Sequence, residues 1–237
     1  MVKLVQHSDV SHGHSKRAAA AAPDIETINP FPLPPADRRQ RRAAETRLRL
    51  FRCALQLIAE RGFPNVTVED ITEAADVGKG TFFNYFETKD HVLCVMTEIQ
   101  LGKVSEAVTL TGQGKQTIHS VLHRLMLRLA EEPGRSPELA RALISSFLAS
   151  QSVRKIIVTN MTQGHKMIAE VVGAGQKRGE INPRLQKEKV ATQLMQAAMG
   201  TILLWSAHGE SALKEWIEDS FQHFWRAVAF SAQGQKS

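Results

Sequence analysis

Cysteine is scarce in this chain of 237 residues, which contains only Cys53 and Cys94. Two distant thiols, neither of them at metal-ligand spacing from another Cys or His, predict no disulfide framework and no zinc site. No apolar run reaches the roughly 20 residues that a membrane-spanning helix needs. The alanine run at 18–22 is too short for a signal peptide and is followed by Pro23. We therefore expect a cytoplasmic protein that has no membrane contact, metal or cofactor.

Strand patterns and catalytic motifs are also missing. No stretch alternates apolar and polar residues convincingly, so the sequence predicts an all-α fold. It contains no phosphate loop, nucleophile elbow, metal-ligand spacing or convincing carboxylate pair, and we therefore expect no enzyme activity. Two other classes then remain, a nucleic-acid-binding protein and a helical interaction protein.

Basic residues outnumber acidic ones, 30 to 24, for a net charge of +6. This balance suits an anionic partner, although net charge alone says nothing about the fold. Seven arginines stand close together just before the main motif: Arg38, Arg39, Arg41, Arg42, Arg47, Arg49 and Arg52. Taken alone, such a cluster is as typical of a solvated basic linker as of an arm that contacts phosphates.

The main motif runs from Val66 to Lys89 and predicts two short helices joined by a tight turn. Thr67 is a good N-cap, and Asp70 three residues later completes a capping box. The helical pattern breaks at 76–78, where Asp and Gly both tolerate turn geometry. A second helix, predicted at 79–86, places Phe82 and Phe86 on one face, and we expect both to be core. This helix is too short to stand alone and must be held by its neighbours. A helix-turn-helix that inserts its second helix into the DNA major groove fits this pattern.

These residues resemble the DNA-binding signature of the TetR/AcrR family of transcriptional regulators. The resemblance lies in Gly62-Phe63, Thr67 to Ile71 and Ala74 to Lys89, and it covers about a fifth of the chain. Three positions depart from the family pattern: Asp76 where Gly is frequent, Gly78 where Ser is frequent, and Phe83 where Tyr is common. The last two changes remove a hydroxyl each.

Cap and proline signals predict about nine helices in all. One of them ends at Gly62, and others begin at Thr88, Ser136-Pro137, Asn182-Pro183 and Ser211. We expect a disordered tail at 1–37, a three-helix DNA-binding domain at 38–90, and a larger helical domain for ligand binding and dimerisation at 91–237. The stretch from Gly175 to Pro183 is similar to a helix junction in the regulatory half of AcrR-like proteins.

The resemblance and the motif together indicate which residues contact DNA. Lys79, Gly80, Thr81 and Asn84 stand where a recognition helix meets base edges or phosphates. The resemblance implies phosphate contacts at Thr67, Tyr85 and Lys89. The predicted DNA-binding residues are therefore Thr67, Lys79, Gly80, Thr81, Asn84, Tyr85, Lys89, Arg42 and Arg47.

The resemblance also implies a homodimer formed by the last two helices, which carry a broad apolar band. The predicted interface consists of Ala197, Thr201, Leu213, Ile217, Phe221, Phe224 and Trp225. The alternative is that the aromatic residues belong to the core of one chain. A pocket among the middle helices would be lined by Met96, Ile99, His123, Met126, Phe147, Met161, His165 and Trp205, most of which are equally typical of core.

The resemblance thus implies a dimeric, sequence-specific regulator that binds a palindromic operator on double-stranded DNA and releases it when a small molecule binds. Repression is the usual mode in the family. Activation and effector-independent control remain open, as does a helical interaction module that does not bind specific DNA.

Overall fold

The chain folds into α-helices throughout the part described by the computed structural model, residues 37–208 and 211–230, which confirms the all-α prediction. The tail predicted to be disordered lies outside these residues, apart from Asp37. The helices are α1 (Arg38–Arg61), α2 (Val68–Ala74), α3 (Lys79–Phe83), α4 (Lys89–Val92), α5 (Cys94–Gln113), α6 (Ile118–Leu129), α7 (Pro137–Ala149), α8 (Gln151–Lys177), α9 (Lys187–His208) and α10 (Leu213–Val228). None of them is long and apolar enough to cross a membrane.

Helix ends coincide with the sequence signals where the cap is local. Gly62 ends α1 at a φ of 77°, a left-handed conformation that costs glycine little, and its N–H donates to the Ile58 carbonyl. Ser136 begins α7 by accepting a hydrogen bond from the Leu139 N–H, with Pro137 in the first turn.

Three helix boundaries differ from the prediction. The helix expected from Thr88 is divided into α4 and α5, and α5 continues to Gln113. Helix α9 begins at Lys187 rather than near Pro183, because the Asn182 side chain instead closes a turn by accepting from the Arg184 N–H at 3.0 Å. Ser211 does not cap α10, since its hydroxyl accepts from the Trp216 indole at 2.6 Å.

We call α1 to α4 the head, and it is organised around buried aromatic and aliphatic side chains. Phe51, Ile71 and Phe82 are fully buried in one apolar cluster, and Phe86 is 3 % exposed. The same cluster includes side chains of α5 and α7, among them Met96 and Leu139. The head therefore packs directly onto the helices that follow it.

We call α5 to α10 the body, and its helices enclose a second apolar cluster. Helix α5 packs along α8, α8 along α9, and α9 along α10. The junction after α8 ties three helices together, because the Glu180 carboxylate accepts from the first N–H of α6 at 2.7 Å and Ile181 forms a β-bridge with Ala229 beyond α10. A Cβ at Gly175 would lie 2.9 Å from Ile181 Cδ1, so a larger residue there would force the buried Ile181 side chain to shift.

Candidate nucleic-acid interface

Helix α2 begins with the predicted capping box, which is confirmed. The Thr67 hydroxyl accepts from the Asp70 N–H at 3.1 Å, and the Thr67 N–H donates to Asp70 Oδ2 at 2.7 Å. The hydrogen bond from the Thr67 hydroxyl holds the pKa of Asp70 below its usual value. The box fixes the start of the helix that supports α3.

The turn between α2 and α3 explains two of the departures from the family pattern. Asp76 has a φ of 49°, the left-handed conformation that glycine adopts most easily, and aspartate is among the few other residues that tolerate it. Gly78 precedes α3 without a side-chain cap, because it has no hydroxyl to accept a hydrogen bond. The chain thus keeps the turn and loses one capping interaction.

Helix α3 presents a polar outer face because Phe82 anchors its inner face. Phe82 is fully buried, with its ring 5.3 Å from that of Phe86, whereas the next residue, Phe83, is 49 % exposed. Lys79, Gly80 and Asn84 are exposed, and Thr81 and Tyr85 are half-buried. A Cβ at Gly80 would meet no atom within 4 Å, so packing within the chain does not require glycine there.

Lys79 already has a partner in the free protein, the exposed carboxylate of Glu69. The hydrogen bond from the Lys79 ammonium lowers the pKa of Glu69, so this carboxylate stays charged at neutral pH. A DNA phosphate or base that takes up Lys79 has to compete with Glu69.

Lys89 connects the start of α4 to the loop between α1 and α2. Its ammonium donates to the carbonyl oxygens of Phe63 at 2.8 Å and Val66 at 2.7 Å, and it lies 4.2 Å from the centre of the Phe63 ring. An ammonium has three donors, so one N–H is left for a phosphate. The structural role depends on partners 23 and 26 residues away, which no local pattern indicates.

The two predicted arginines of α1 have different surroundings. Arg42 is exposed in the first turns of the helix, next to the exposed Arg38, Arg39 and Arg41. Arg47, further along, binds Glu98 of α5. The exposed arginines and the outer face of α3 form the candidate interface.

Comparison with known proteins relates the head to one family. Residues 50–94 match the model of bacterial regulatory proteins, tetR family. The HTH-type transcriptional regulator TcmR of Streptomyces glaucescens is 44 % identical over 54 residues, which are 23 % of this chain and 24 % of TcmR. The chain therefore spans about a quarter of that relative. The HTH-type regulator Rv0767c of Mycobacterium tuberculosis is 25 % identical over 146 residues, 60 % of this chain and 67 % of that protein.

A solved structure extends the likeness to the body. Thermus thermophilus FadR, described as a TetR-family repressor in complex with lauroyl-CoA, is 27 % identical and has a TM-score of 0.57, over 75 % of this chain and 92 % of that one. The head is therefore similar to the DNA-binding domain of the TetR family, and the chain shares its fold with a TetR-family repressor.

The structure distributes the predicted apolar pocket residues of this chain over three apolar clusters. Met96 and Ile99 are buried in the cluster of the head, Met126 and Trp205 lie in that of the body, and Phe147 and Met161 pack in a third cluster. The two predicted histidines have partners of their own. His123 contacts Glu218 at 2.7 Å, and His165 contacts the Glu188 carbonyl at 2.9 Å.

One open groove involves a predicted pocket residue. It has a volume of about 580 Å³, and His123 lies on its wall between α6 and the start of α10, with Leu127 and Leu213. Its wall also carries the basic side chains Arg124 and Arg128, both of which are paired with Glu106.

The predicted dimer residues on α10 are mostly internal. Leu213, Ile217, Phe221 and Phe224 are each at most 8 % exposed within a single chain, so a second copy cannot reach most of their surface. Ala197, Thr201 and Trp225 are half-buried. Of the last two helices, it is α9 that has exposed large apolar side chains, because Met199, Leu203 and Leu204 are about half exposed. None of these three residues is among the predicted interface residues.

Proposed function

We propose that this protein is a sequence-specific transcriptional regulator that binds a palindromic DNA operator as a homodimer and releases it when a small molecule binds. The observation that carries the proposal is the outer face of α3, with Lys79, Gly80, Phe83 and Asn84 exposed around one buried anchor, Phe82. A recognition helix needs this division between an internal anchor and an exposed N-terminal end. The proposal includes a cytoplasmic location and the domain boundaries 38–90 and 91–237.

The proposed role of each DNA-binding residue follows from the chemical groups that it offers. Thr81, Asn84 and Lys79 read base edges, and the open space above Gly80 lets the backbone approach the groove closely. Thr67, Tyr85, the free N–H of Lys89 and Arg42 bind phosphates. The curated and solved relatives described above are regulators or repressors, which favours this role over an enzyme.

Selection of bound sequences from random double-stranded DNA tests this function directly. We expect an enriched inverted repeat, because two-fold related heads read two half-sites about one helical turn apart. Recovery of no preferred sequence would contradict the proposal and favour the helical interaction module. A reporter gene placed behind the selected operator then distinguishes repression from activation.

Arg42→Gln is expected to weaken binding to all duplexes alike and to reduce the slope of log affinity against log salt. The slope should fall by about one unit per arginine–phosphate contact that is lost, and so by about two units per dimer. Titrations at several salt concentrations measure it. Arg226→Gln removes the same charge from an exposed site on α10 and should leave the slope unchanged. Equal slopes for both variants would exclude Arg42 from the interface.

Leu203→Asp is expected to dissociate the proposed dimer. Leu203 is 49 % exposed on the apolar face of α9, and an unpaired carboxylate buried by a second copy costs several kcal/mol, so the dissociation constant should rise on the order of a hundredfold. Sedimentation equilibrium measures the change. Leu148→Asp places the same charge on α7, at a side chain 65 % exposed, and should leave the dimer intact. Dissociation by both variants would point to a different interface.

We further propose that the effector is an apolar or amphipathic molecule. The solved Thermus thermophilus FadR is described in complex with lauroyl-CoA, which gives the precedent. A ligand acts only if it binds one arrangement of the two heads better than the other. Helix α5 leads directly from the head into the body and is the element whose shift would change that arrangement.

A further inference from the structure

Arg47 and Glu98 join the head to the body through a two-pronged ion pair. Arg47 lies on α1, and its Nη1 and Nη2 donate to the two carboxylate oxygens of Glu98 on α5, both at 2.7 Å. The two side chains are 28 % and 30 % exposed, so water and salt screen the pair less than they screen surface pairs. A bidentate pair restrains orientation as well as distance. It therefore fixes how α1 sits on α5.

The same guanidinium also touches the segment that follows the recognition helix. Its central carbon lies 5.6 Å from the centre of the Phe86 ring, a distance at which a cation is attracted to an aromatic face. Phe86 is buried against Phe82, the anchor of α3. Arg47 thus contacts α5 and the support of the reading face at once.

In the body, α8 holds Thr97, the residue before Glu98. The Asn160 side-chain amide donates to the Thr97 hydroxyl at 2.8 Å, and α8 packs along α5. Direct contacts and chain neighbours therefore connect α8 to the anchor of α3, through Asn160, Thr97, Glu98, Arg47 and Phe86.

We propose that Arg47 and Glu98 form a clamp that sets the angle of the head on α5, so that Arg47 is a positioning residue and not a phosphate ligand. The inference rests on the proposed function. Both Nη atoms of Arg47 are already engaged, and turning the guanidinium towards DNA would leave the carboxylate of Glu98 without this partner in a half-buried site. In a dimer, the angle of each head determines the distance between the two reading faces.

The test compares operators whose half-sites are separated by the selected spacing and by one or two additional base pairs. Arg47→Gln and Glu98→Gln should each reduce the preference for the selected spacing by about tenfold, within the range measured for directly coupled residues. The exchanged pair, Arg47→Glu with Glu98→Arg, should recover part of this preference. Arg61→Gln is the matched control, because Arg61 also lies on α1 but pairs at 3.4 Å with Asp70 inside the head.

Three results on DNA would overturn the clamp. The first is a spacing preference that survives in Arg47→Gln, and the second is the absence of such a preference in the wild-type protein. The third is a salt slope for Arg47→Gln reduced by about two units per dimer, which would make Arg47 a phosphate contact.

A readout without DNA separates failure of the clamp from failure of the proposed function. In the free protein, Arg47→Gln should accelerate hydrogen exchange of α4 amides about tenfold, since the head opens more readily from the body. Arg61→Gln should leave these amides unchanged. If hydrogen exchange of the α4 amides is unchanged in Arg47→Gln, the clamp proposal is wrong whatever the DNA-binding result. If the wild-type protein binds no duplex, it is the proposed function that is wrong.

Discussion

Phe82→Ala is expected to cost about 3–5 kcal/mol of unfolding free energy and to abolish operator binding, because it empties the centre of the head. Phe82 is fully buried, and its ring contacts those of Phe83 and Phe86. Helix α3 has five residues, too few to persist without this anchor. Urea denaturation followed by circular dichroism measures the stability loss, and titration of the selected duplex measures the loss of binding.

The neighbouring residue provides the matched control. Phe83→Ala removes an equal volume from a side chain that is 49 % exposed, so the unfolding free energy should change by no more than about 0.5 kcal/mol. It should still weaken DNA binding, since the ring lies on the proposed reading face, where an apolar surface can meet a thymine methyl or a sugar. If Phe83→Ala bound DNA like the wild type, the proposed orientation of α3 would be wrong.

Features that depend on nearby residues were predictable from the sequence. The Thr67–Asp70 capping box, the glycine stop at Gly62 and the Ser136–Pro137 start each involve groups within four residues of one another. Short-range hydrogen bonds of this kind form wherever the chain permits the backbone geometry, so sequence spacing suffices to recognise them. The burial of Phe82 and Phe86 followed from helical periodicity in the same way.

Features that depend on distant partners were not predictable. Lys89 donates to carbonyls of the loop before α2, and Arg47 binds a carboxylate 51 residues away. Both are basic residues close to the motif, as phosphate-binding residues are. Lys89 gains its internal partners from packing within the head, and Arg47 gains its partner from the packing of the head on α5. The aromatic band of α10 likewise has the sequence pattern of an interface, but in the structure α6 and α9 pack against it. Sequence periodicity reports that a face is apolar, but not which surface covers it.

A buried ion cluster where α5 meets the end of α6 was also missed, and it gives the second large expected effect. The Lys103 ammonium donates to Glu132 at 2.6 Å, to Glu131 at 3.0 Å and to the Arg128 carbonyl at 2.5 Å. The Lys103 and Glu132 side chains are only 6 % and 5 % exposed. A cation at this position also suits the negative end of the α6 dipole.

Lys103→Met should lower the unfolding free energy by about 3–5 kcal/mol, because it leaves the Glu132 carboxylate buried without its cation while keeping most of the apolar side-chain volume. Denaturation at matched protein concentration measures the loss, since a dimer makes apparent stability concentration-dependent. Lys187→Met is the control. Lys187 lies 3.8 Å from Glu188, both side chains are at least 46 % exposed, and its loss should cost at most about 1 kcal/mol.

Combining Lys103→Met with Glu132→Gln should recover at least half of that loss, since the amide retains polar contact with Gln100 and carries no charge. Recovery in this double-mutant cycle would attribute the cost to an unpaired charge rather than to a cavity. If the two losses simply added, the cluster would matter for packing alone. The same cycle bears on regulation, because Gln100 and Lys103 lie on the helix that bears Glu98. A loosened α6 contact should therefore also weaken the spacing preference that the Arg47–Glu98 clamp is proposed to impose.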